Sequence, residues 1–173
     1  MKFKLDENDY LTYQLFTASK SALIAKKKRN GWILAPLSFL ILAVMFYASD
    51  NFPLTVYFVI AAIVTVIFFP RYFKWRYKKH YLKHIQTNYQ NRFGTESELE
   101  ITSDGIIYKD ETGEGKNNVK KIKRVNNLPA HFLIELNIGT SIILPNNQID
   151  EGTELKTLND LQLEVIDESS WKW

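Results

Sequence analysis

The chain has 173 residues, of which 22 are basic, 19 are acidic and none is cysteine, so its net charge is +3. The absence of thiols excludes disulfides, thiolate nucleophiles and cysteine-based zinc or iron–sulfur sites. Residues 1–94 carry 14 basic and 4 acidic residues, whereas residues 95–173 carry 8 basic and 15 acidic residues. The first part therefore suits anionic lipid headgroups, and the second suits solvent.

Residues 1–30 predict a cytoplasmic segment made of a short strand and a helix. Phe3 and Leu5 alternate with charged residues, which indicates a strand. We expect Asp9 to cap the helix that follows, with Leu11 and Leu15 on its apolar face. This helix could continue into the apolar run beyond it.

Two charge-free apolar runs, Trp32–Ala48 and Leu54–Phe69, predict a transmembrane helical hairpin over residues 31–70. At 1.5 Å per helical residue each run spans about 25 Å, and flanking residues complete a hydrocarbon core of about 30 Å. The alternative is a buried hairpin of a soluble protein, but neither run has an amphipathic stripe. Acidic residues near the start and a late apolar run also argue against a cleaved signal peptide.

Basic residues lie outside both runs, and the connection between them contains none. This distribution places both termini in the cytoplasm and predicts a multi-pass protein of the inner or plasma membrane, with the lipid bilayer as its first partner. The basic residues expected to anchor it at the membrane interface are Lys26, Lys27, Lys28, Arg29, Arg71, Lys74 and Arg76.

Residues 71–94 predict a cytoplasmic juxtamembrane helix that extends the second span. Its mixture of aromatic and basic residues also occurs in nucleic-acid-binding proteins, but its position favours a membrane interface, and we expect no nucleic-acid partner. His80 and His84 share a helix face at a spacing suited to metal binding. No acidic residue accompanies them, so we expect no metal site.

Residues 95–173 change to a strand-rich pattern. Ser97–Thr102 and Ile106–Tyr108 predict a hairpin, and a loose turn over Glu111–Gly115 leads to a run from Asn118 to Val125. Two more strands are expected at His131–Leu136 and Ser141–Leu144. A C-terminal helix is predicted from the spacing of Leu155, Leu158, Leu161 and Val165. The predicted fold is thus a membrane α-helical hairpin plus a small α+β cytoplasmic module.

The order of motifs in this last region resembles the YcxB-like family of small two-pass bacterial membrane proteins. The residues that carry the resemblance are Leu99-Glu100-Ile101-Thr102, Asp104-Gly105-Ile106, Ile122, Val125 and Ser141-Ile142-Ile143-Leu144-Pro145. The resemblance implies that residues 95–173 form a pleckstrin-homology-like (PH-like) sheet or barrel capped by the C-terminal helix. Such folds host many unrelated tasks, so the resemblance supplies a fold rather than a function.

One basic cluster stands out in the acidic region: Lys116, Lys120, Lys121, Lys123 and Arg124. It could contact anionic lipid or a partner, or it could be a solvated strand face with Val119, Ile122 and Val125 turned inward. His131 is expected to be a surface residue at the end of a strand. We expect no catalytic residue and no cofactor, since no acid pair is shielded and no phosphate-binding loop is present.

The sequence therefore predicts a non-enzymatic integral membrane protein that presents a cytoplasmic interaction module to a protein partner or to itself. The alternative is a membrane-embedded sensor or immunity-type factor that acts through the transmembrane hairpin. No small-molecule substrate is evident. Neither span contains an ionisable residue, which makes a transporter the weakest interpretation.

Overall fold

The computed structural model describes residues 1–102, 105–110, 113–148 and 163–173. The chain forms two compact units. The first, called the sheet unit below, comprises Met1–Gln14 and Leu82–Trp173. The second, called the helical unit, comprises Leu15–Tyr81.

Three α-helices are found in the described residues: α1 (Glu7–Lys20), α2 (Ala22–Ala48) and α3 (Phe52–Asn88). The expected continuation of α1 into the first apolar run is interrupted at Ser21, whose hydroxyl accepts a hydrogen bond from the N–H of Ile24 and caps α2. The predicted extension of the second apolar run is part of α3, which continues without a break through Pro70.

Helices α2 and α3 are long and apolar enough to cross a membrane. In their most apolar 18-residue stretches, only 11% and 6% of the residues are buried. The two helices run antiparallel and contact each other through aromatic rings, because Phe58 stacks on Phe46 at 5.4 Å and lies 6.4 Å from Phe39. Nearer the other end, Trp32 Nε1–H donates a 3.0 Å hydrogen bond to the carbonyl of Val66.

The sheet unit contains two four-stranded sheets. The first has the order β1-β2-β3-β4 and the second has the order β7-β6-β5-β8. All neighbouring strands are antiparallel except β5 and β8, which are parallel. The strands are β1 (Lys2–Lys4), β2 (Glu96–Thr102), β3 (Gly105–Asp110), β4 (Gly113–Asn118), β5 (Ile122–Asn127), β6 (His131–Leu136), β7 (Ser141–Pro145) and β8 (Val165–Asp167).

Strand β1, near the start of the chain, pairs with β2, which lies more than 90 residues later in the sequence. Lys2 pairs with Glu98 and Lys4 pairs with Glu96, while the side chain of Phe3 is 2% exposed. The short N-terminal strand was predicted, but its place in this sheet was not. The compact sheet unit comprises residues 1–14 and 82–94 together with residues 95–173.

Two predictions for residues 95–173 need correction. The loose turn expected at Glu111–Gly115 overlaps β4, and the expected run from Asn118 to Val125 is interrupted by a 3₁₀ turn at Val119–Lys121. Val165 lies in strand β8 rather than in the predicted C-terminal helix. The other residues of that prediction, Leu155, Leu158 and Leu161, lie outside the described residues.

Apolar side chains from both sheets form the core of the sheet unit. The expected strands at Ser97–Thr102, His131–Leu136 and Ser141–Leu144 are confirmed. Buried residues alternate with exposed ones at the start of β2, as the period-two geometry of a strand requires, whereas most residues of β6 and β7 are buried on both faces. Core side chains that are at most 1% exposed include Leu99, Ile106, Val125, Phe132, Ile134 and Leu144.

Candidate functional site

The helical unit contains a cleft of about 630 Å³ between the first turns of α2 and the middle of α3. Lys27 from α2 and Arg76 and His80 from α3 supply its polar lining. We call this feature the basic cleft. Its aromatic lining comes from Phe69, Tyr72, Phe73, Tyr77 and Tyr81.

The inner end of the basic cleft is fixed by a close approach of the two helices. A Cβ atom placed on Gly31 would lie 2.6 Å from Cζ of Phe69, so the ring packs directly against the glycine backbone. The next residue, Trp32, makes the hydrogen bond to Val66 described above. Glycine at position 31 therefore allows the contact that sets the register of α2 against α3.

An aromatic ladder along α3 forms one wall of the cleft. Ring centroids of Phe69 and Phe73 are 6.1 Å apart, those of Phe73 and Tyr77 are 4.3 Å apart, and those of Tyr77 and Tyr81 are 6.2 Å apart. Residues four apart lie above one another on a helix, which brings these rings into contact. The wall is therefore apolar along its length, and tyrosine hydroxyls lie at its outer part.

No carboxylate in the described residues pairs with the two cations of the basic cleft. Residues 10–95 contain twelve basic residues and a single acidic residue, Asp50, in the turn between α2 and α3. In the described part of the chain, Lys27 and Arg76 have no ion-pair partner. A positively charged cleft without an internal counter-ion is suited to an anionic ligand.

The structure separates the predicted membrane-interface residues into two groups. Lys27 and Arg76 both line the cleft, while the remaining members lie on α2 or α3 outside its lining: Lys26, Lys28, Arg29, Arg71 and Lys74. His80 joins the cleft without its helical neighbour His84. Among the described residues, no group of three or more histidine and acidic side chains could hold a metal ion.

The predicted basic cluster in the sheet unit is also divided. Glu135 accepts hydrogen bonds from Lys123 at 2.7 Å and from Arg124 at 2.6 Å. The register of β5 against β6 shifts between Ile122 and Arg124, and such a bulge lets two consecutive side chains face one partner residue. Burial raises the pKa of the Glu135 carboxyl, but the hydrogen bonds from the two cations outweigh burial and hold the pKa below its usual value.

The remaining basic residues of that cluster, Lys116, Lys120 and Lys121, are exposed. Lys116 lies on the outer strand β4, and the other two lie in the 3₁₀ turn that precedes β5. In the same region Ile122 and Val125 are buried and Val119 is half-buried, as expected for the solvated-strand interpretation.

His131 is not the surface residue that the sequence predicted. It is 4% exposed, and its Nε2 lies 2.7 Å from Oδ1 of Asp9 in α1. The histidine is the first residue of the apolar strand β6, and Asp9 of α1 packs against it, a contact that the local sequence does not reveal. His131 and Asp9 form the buried polar pair of the sheet unit within the described residues.

Asp9 is held by the start of its own helix. Its Oδ2 accepts a hydrogen bond from the N–H of Asp6, and Oδ1 of Asp6 accepts one from the N–H of Asp9. Asp6 is thus the cap of α1, and the prediction that Asp9 caps this helix is wrong. Burial raises the pKa of the Asp9 carboxyl, but hydrogen bonds from His131 and from the Asp6 N–H outweigh burial, so the pKa lies below its usual value.

A cavity of about 430 Å³ adjoins this pair. Nδ1 of His131 and Oδ1 of Asn146 are buried there without a hydrogen-bond partner in the described part of the chain. The described lining residues carry no hydroxyl or thiol group that the imidazole could activate as a nucleophile. The contact between Asp9 and His131 joins α1 to β6. The pattern Asp6-x-x-Asp9 was its one signal in the sequence.

No protein-family model, curated protein or solved structure matches this chain. The resemblance to the YcxB-like family therefore stays a prediction from the sequence.

Proposed function

We propose that the protein is a non-enzymatic integral membrane protein that presents its sheet unit, at the cytoplasmic face, to a protein partner or to a second copy of itself. The observation that carries the proposal is the exposure of α2 and α3. A soluble protein buries its most apolar helices in a core, whereas these two bury only 11% and 6% of their most apolar stretches. A bilayer is the environment that would cover such surfaces.

The exposed side chains are large and apolar on both helices. Residues 30–49 and 51–70 contain no charged side chain, so neither helix brings the insertion cost of about 3 kcal/mol that one central arginine or aspartate would add. Among the side chains that are more than half exposed are Leu34, Ile41, Val44, Ile60, Ile63 and Ile67.

Strand pairing supports two crossings. Strand β1 precedes α2, strand β2 follows α3, and the two strands are hydrogen-bonded in one sheet. Because paired strands must lie on the same side of a bilayer, the helices between them must cross it an even number of times. The basic residues next to both helices favour the cytoplasmic side for this sheet.

The sheet unit offers an outer strand for association. Strand β4 pairs with β3 on one side, and five of its six residues are exposed. No strand in the described residues pairs with its other side. A partner strand could add to this edge through backbone hydrogen bonds. Two sheets built mostly from consecutive antiparallel strands also support the PH-like interpretation of the module.

The membrane proposal is tested with the full-length protein in native membranes. Because the chain has no cysteine, Ser49→Cys in the turn after α2 and Lys109→Cys on β3 each create a single reactive thiol. We expect the protein to remain in the pellet after alkaline carbonate washing. An impermeant maleimide should label position 49 in intact cells and label position 109 only after permeabilisation. Recovery of the washed protein in the supernatant would contradict the proposal.

The partner surface is tested by attaching a photoreactive maleimide at single cysteines in the full chain. Lys116→Cys on β4 should give a discrete adduct, either a dimer of this chain or one defined partner. The matched position Lys109→Cys on the inner strand β3 should give none. An adduct formed instead only from Ile60→Cys on α3 would favour the alternative function, a sensor or immunity-type factor acting through the helices.

A further inference from the structure

We propose that the basic cleft binds the headgroup of one anionic phospholipid, with the lipid phosphate between Lys27 and Arg76. This inference rests on the proposed function in one respect, because a membrane lipid reaches the cleft only if α2 and α3 lie in the bilayer. It goes further by assigning one defined lipid site to the helical unit.

The cleft lies where the headgroups of a bilayer would be. The apolar runs end at Trp32 on α2 and Phe69 on α3, and the inner end of the cleft is lined by Phe69 and by Gly31, the residue before Trp32. At 1.5 Å per residue, Lys27 lies about 7 Å beyond the first boundary and Arg76 about 10 Å beyond the second. The polar layer on each side of a hydrocarbon core is about 5–8 Å thick, so long basic side chains at these positions reach it.

The lining has the chemistry of a phosphate site. The planar guanidinium of Arg76 can donate two parallel hydrogen bonds to phosphate oxygens, and the Lys27 ammonium adds a point charge. His80 and the hydroxyls of Tyr77 and Tyr81 line the same cleft and supply further polar groups. Its volume of about 630 Å³ falls in the range of ligand pockets, about 300–1,000 Å³.

The cleft also accommodates the apolar part of a lipid. Phe69 and Phe73 of the aromatic ladder lie at its membrane end, and Gly31 leaves the backbone of α2 open to close contact. A headgroup held at the basic end would therefore place its acyl chains along the exposed apolar faces of α2 and α3. A free phosphate ion would use the basic end alone.

The charge pattern leaves a lipid phosphate as the counter-ion. The single acidic residue between residues 10 and 95 is Asp50, which lies at the opposite end of α2 from Lys27. Anionic lipid attracts basic residues near a membrane surface with about 1 kcal/mol each. This nonspecific attraction would act on every basic residue at the interface equally. The cleft instead places two of them, Lys27 and Arg76, in the lining of one site.

The test compares two variants of equal charge in the full-length protein. Lys27→Gln/Arg76→Gln removes the two cations of the cleft, and Lys26→Gln/Lys78→Gln removes two exposed cations that do not line it. Delipidated protein in neutral detergent is titrated with phosphatidylglycerol or phosphatidylcholine, and bound lipid is counted by native mass spectrometry. Inorganic phosphate is the second probe.

We expect one phosphatidylglycerol to bind in preference to phosphatidylcholine. The cleft variant should weaken this binding by about 30-fold, or about 2 kcal/mol, because it removes the charge-assisted hydrogen bonds to the phosphate, and the control variant should change the binding less than threefold. Equal losses in both variants, or displacement of the lipid by millimolar phosphate, would overturn the inference. The carbonate-wash result would still stand in that case, so failure of the lipid site is distinguishable from failure of the membrane proposal.

Discussion

The carboxylate of Asp9 lies 2.7 Å from Nε2 of His131, although the two residues are 122 positions apart in the sequence. Their side chains are 12% and 5% exposed. The contact attaches the first helix of the chain to the second sheet of the sheet unit. Because the same carboxylate also accepts the N–H of Asp6, one side chain secures both the start of α1 and its attachment to β6.

Asp9→Ala should lower the free energy of unfolding of the sheet unit by about 3 kcal/mol, because it leaves the His131 imidazole buried without a partner. Asn8→Ala, on the same helical turn but exposed, should change it by less than about 0.5 kcal/mol. Urea denaturation in mild detergent measures both. The double variant Asp9→Ala/His131→Ala should lose less stability than the sum of the losses in the single variants Asp9→Ala and His131→Ala. A loss equal to that sum would show that the two side chains are not coupled.

The stabilising effect of Asp9 should depend on pH below about 4. Its pKa is lowered in the folded state from the ordinary value of 3.8, so the folded protein favours the ionised carboxylate more than the unfolded chain does. The resulting stability is fully present above the unfolded pKa and is lost as pH falls through the folded pKa. The difference in unfolding free energy between the wild type and Asp9→Asn should therefore shrink between pH 5 and pH 2. A difference that grows on acidification would contradict the lowered pKa.

Phe3→Ala should destabilise the sheet unit by about 3–4 kcal/mol, since it empties a core position that is 2% exposed. Lys4→Ala is the matched control, because the polar contacts of Lys4 with Gln148 use backbone atoms and should survive the change. Denaturation curves of the two variants give the comparison. If Phe3→Ala behaved like Lys4→Ala, strand β1 would not be part of the folded sheet.

Glu135→Gln should cost about 1 kcal/mol or less, because Lys123 and Arg124 remain partly solvated in their ion pairs. The loss should diminish in 1 M salt, which screens surface charges. Glu114→Gln on β4 removes an equal charge with no ion-pair partner and should be close to neutral. Urea denaturation at low and high salt measures both variants, and a salt-independent loss at Glu135 would indicate a packing effect instead.

Gly31→Leu should weaken the contact between α2 and α3, because even a Cβ atom would lie 2.6 Å from the ring of Phe69. Overpacking of this kind costs about 1–3 kcal/mol. Thermal denaturation of the full-length protein in detergent measures the loss. Adding Phe69→Ala to Gly31→Leu should recover part of the stability, whereas Asn30→Leu, one residue away, serves as the control for added apolar volume.

Hydropathy and local alternation were sufficient to predict the helices and strands whose pattern lies within their own segment of sequence. The charge-free runs predicted the apolar parts of α2 and α3, and the alternation of Leu99 and Ile101 with polar residues predicted β2. Strand β4 escaped prediction because its sequence, Gly113–Asn118, contains no apolar residue and is held by backbone pairing with β3. Strand β8 joins the second sheet by a parallel pairing with β5 that no local pattern encodes.

The sites depend on contacts between distant parts of the chain, which limited their prediction. Lys27 and Arg76 were each expected at the membrane interface, but their meeting in one cleft depends on the register set by Gly31 and Phe69. His131 was misassigned because its partner lies in α1, at the other end of the sheet unit's sequence. Spacing along a chain reveals a helix face or a strand face and does not reveal which faces meet.

The pairing of Phe3 with Ser97 also imposes an order on biosynthesis. The ribosome releases β1 first, then both apolar helices, and only afterwards the strand with which β1 pairs. Phe3 therefore remains unpaired until both apolar helices have been synthesised. The first sheet cannot form before β2 has left the ribosome, so a chain arrested before residue 96 would leave β1 without its partner strand.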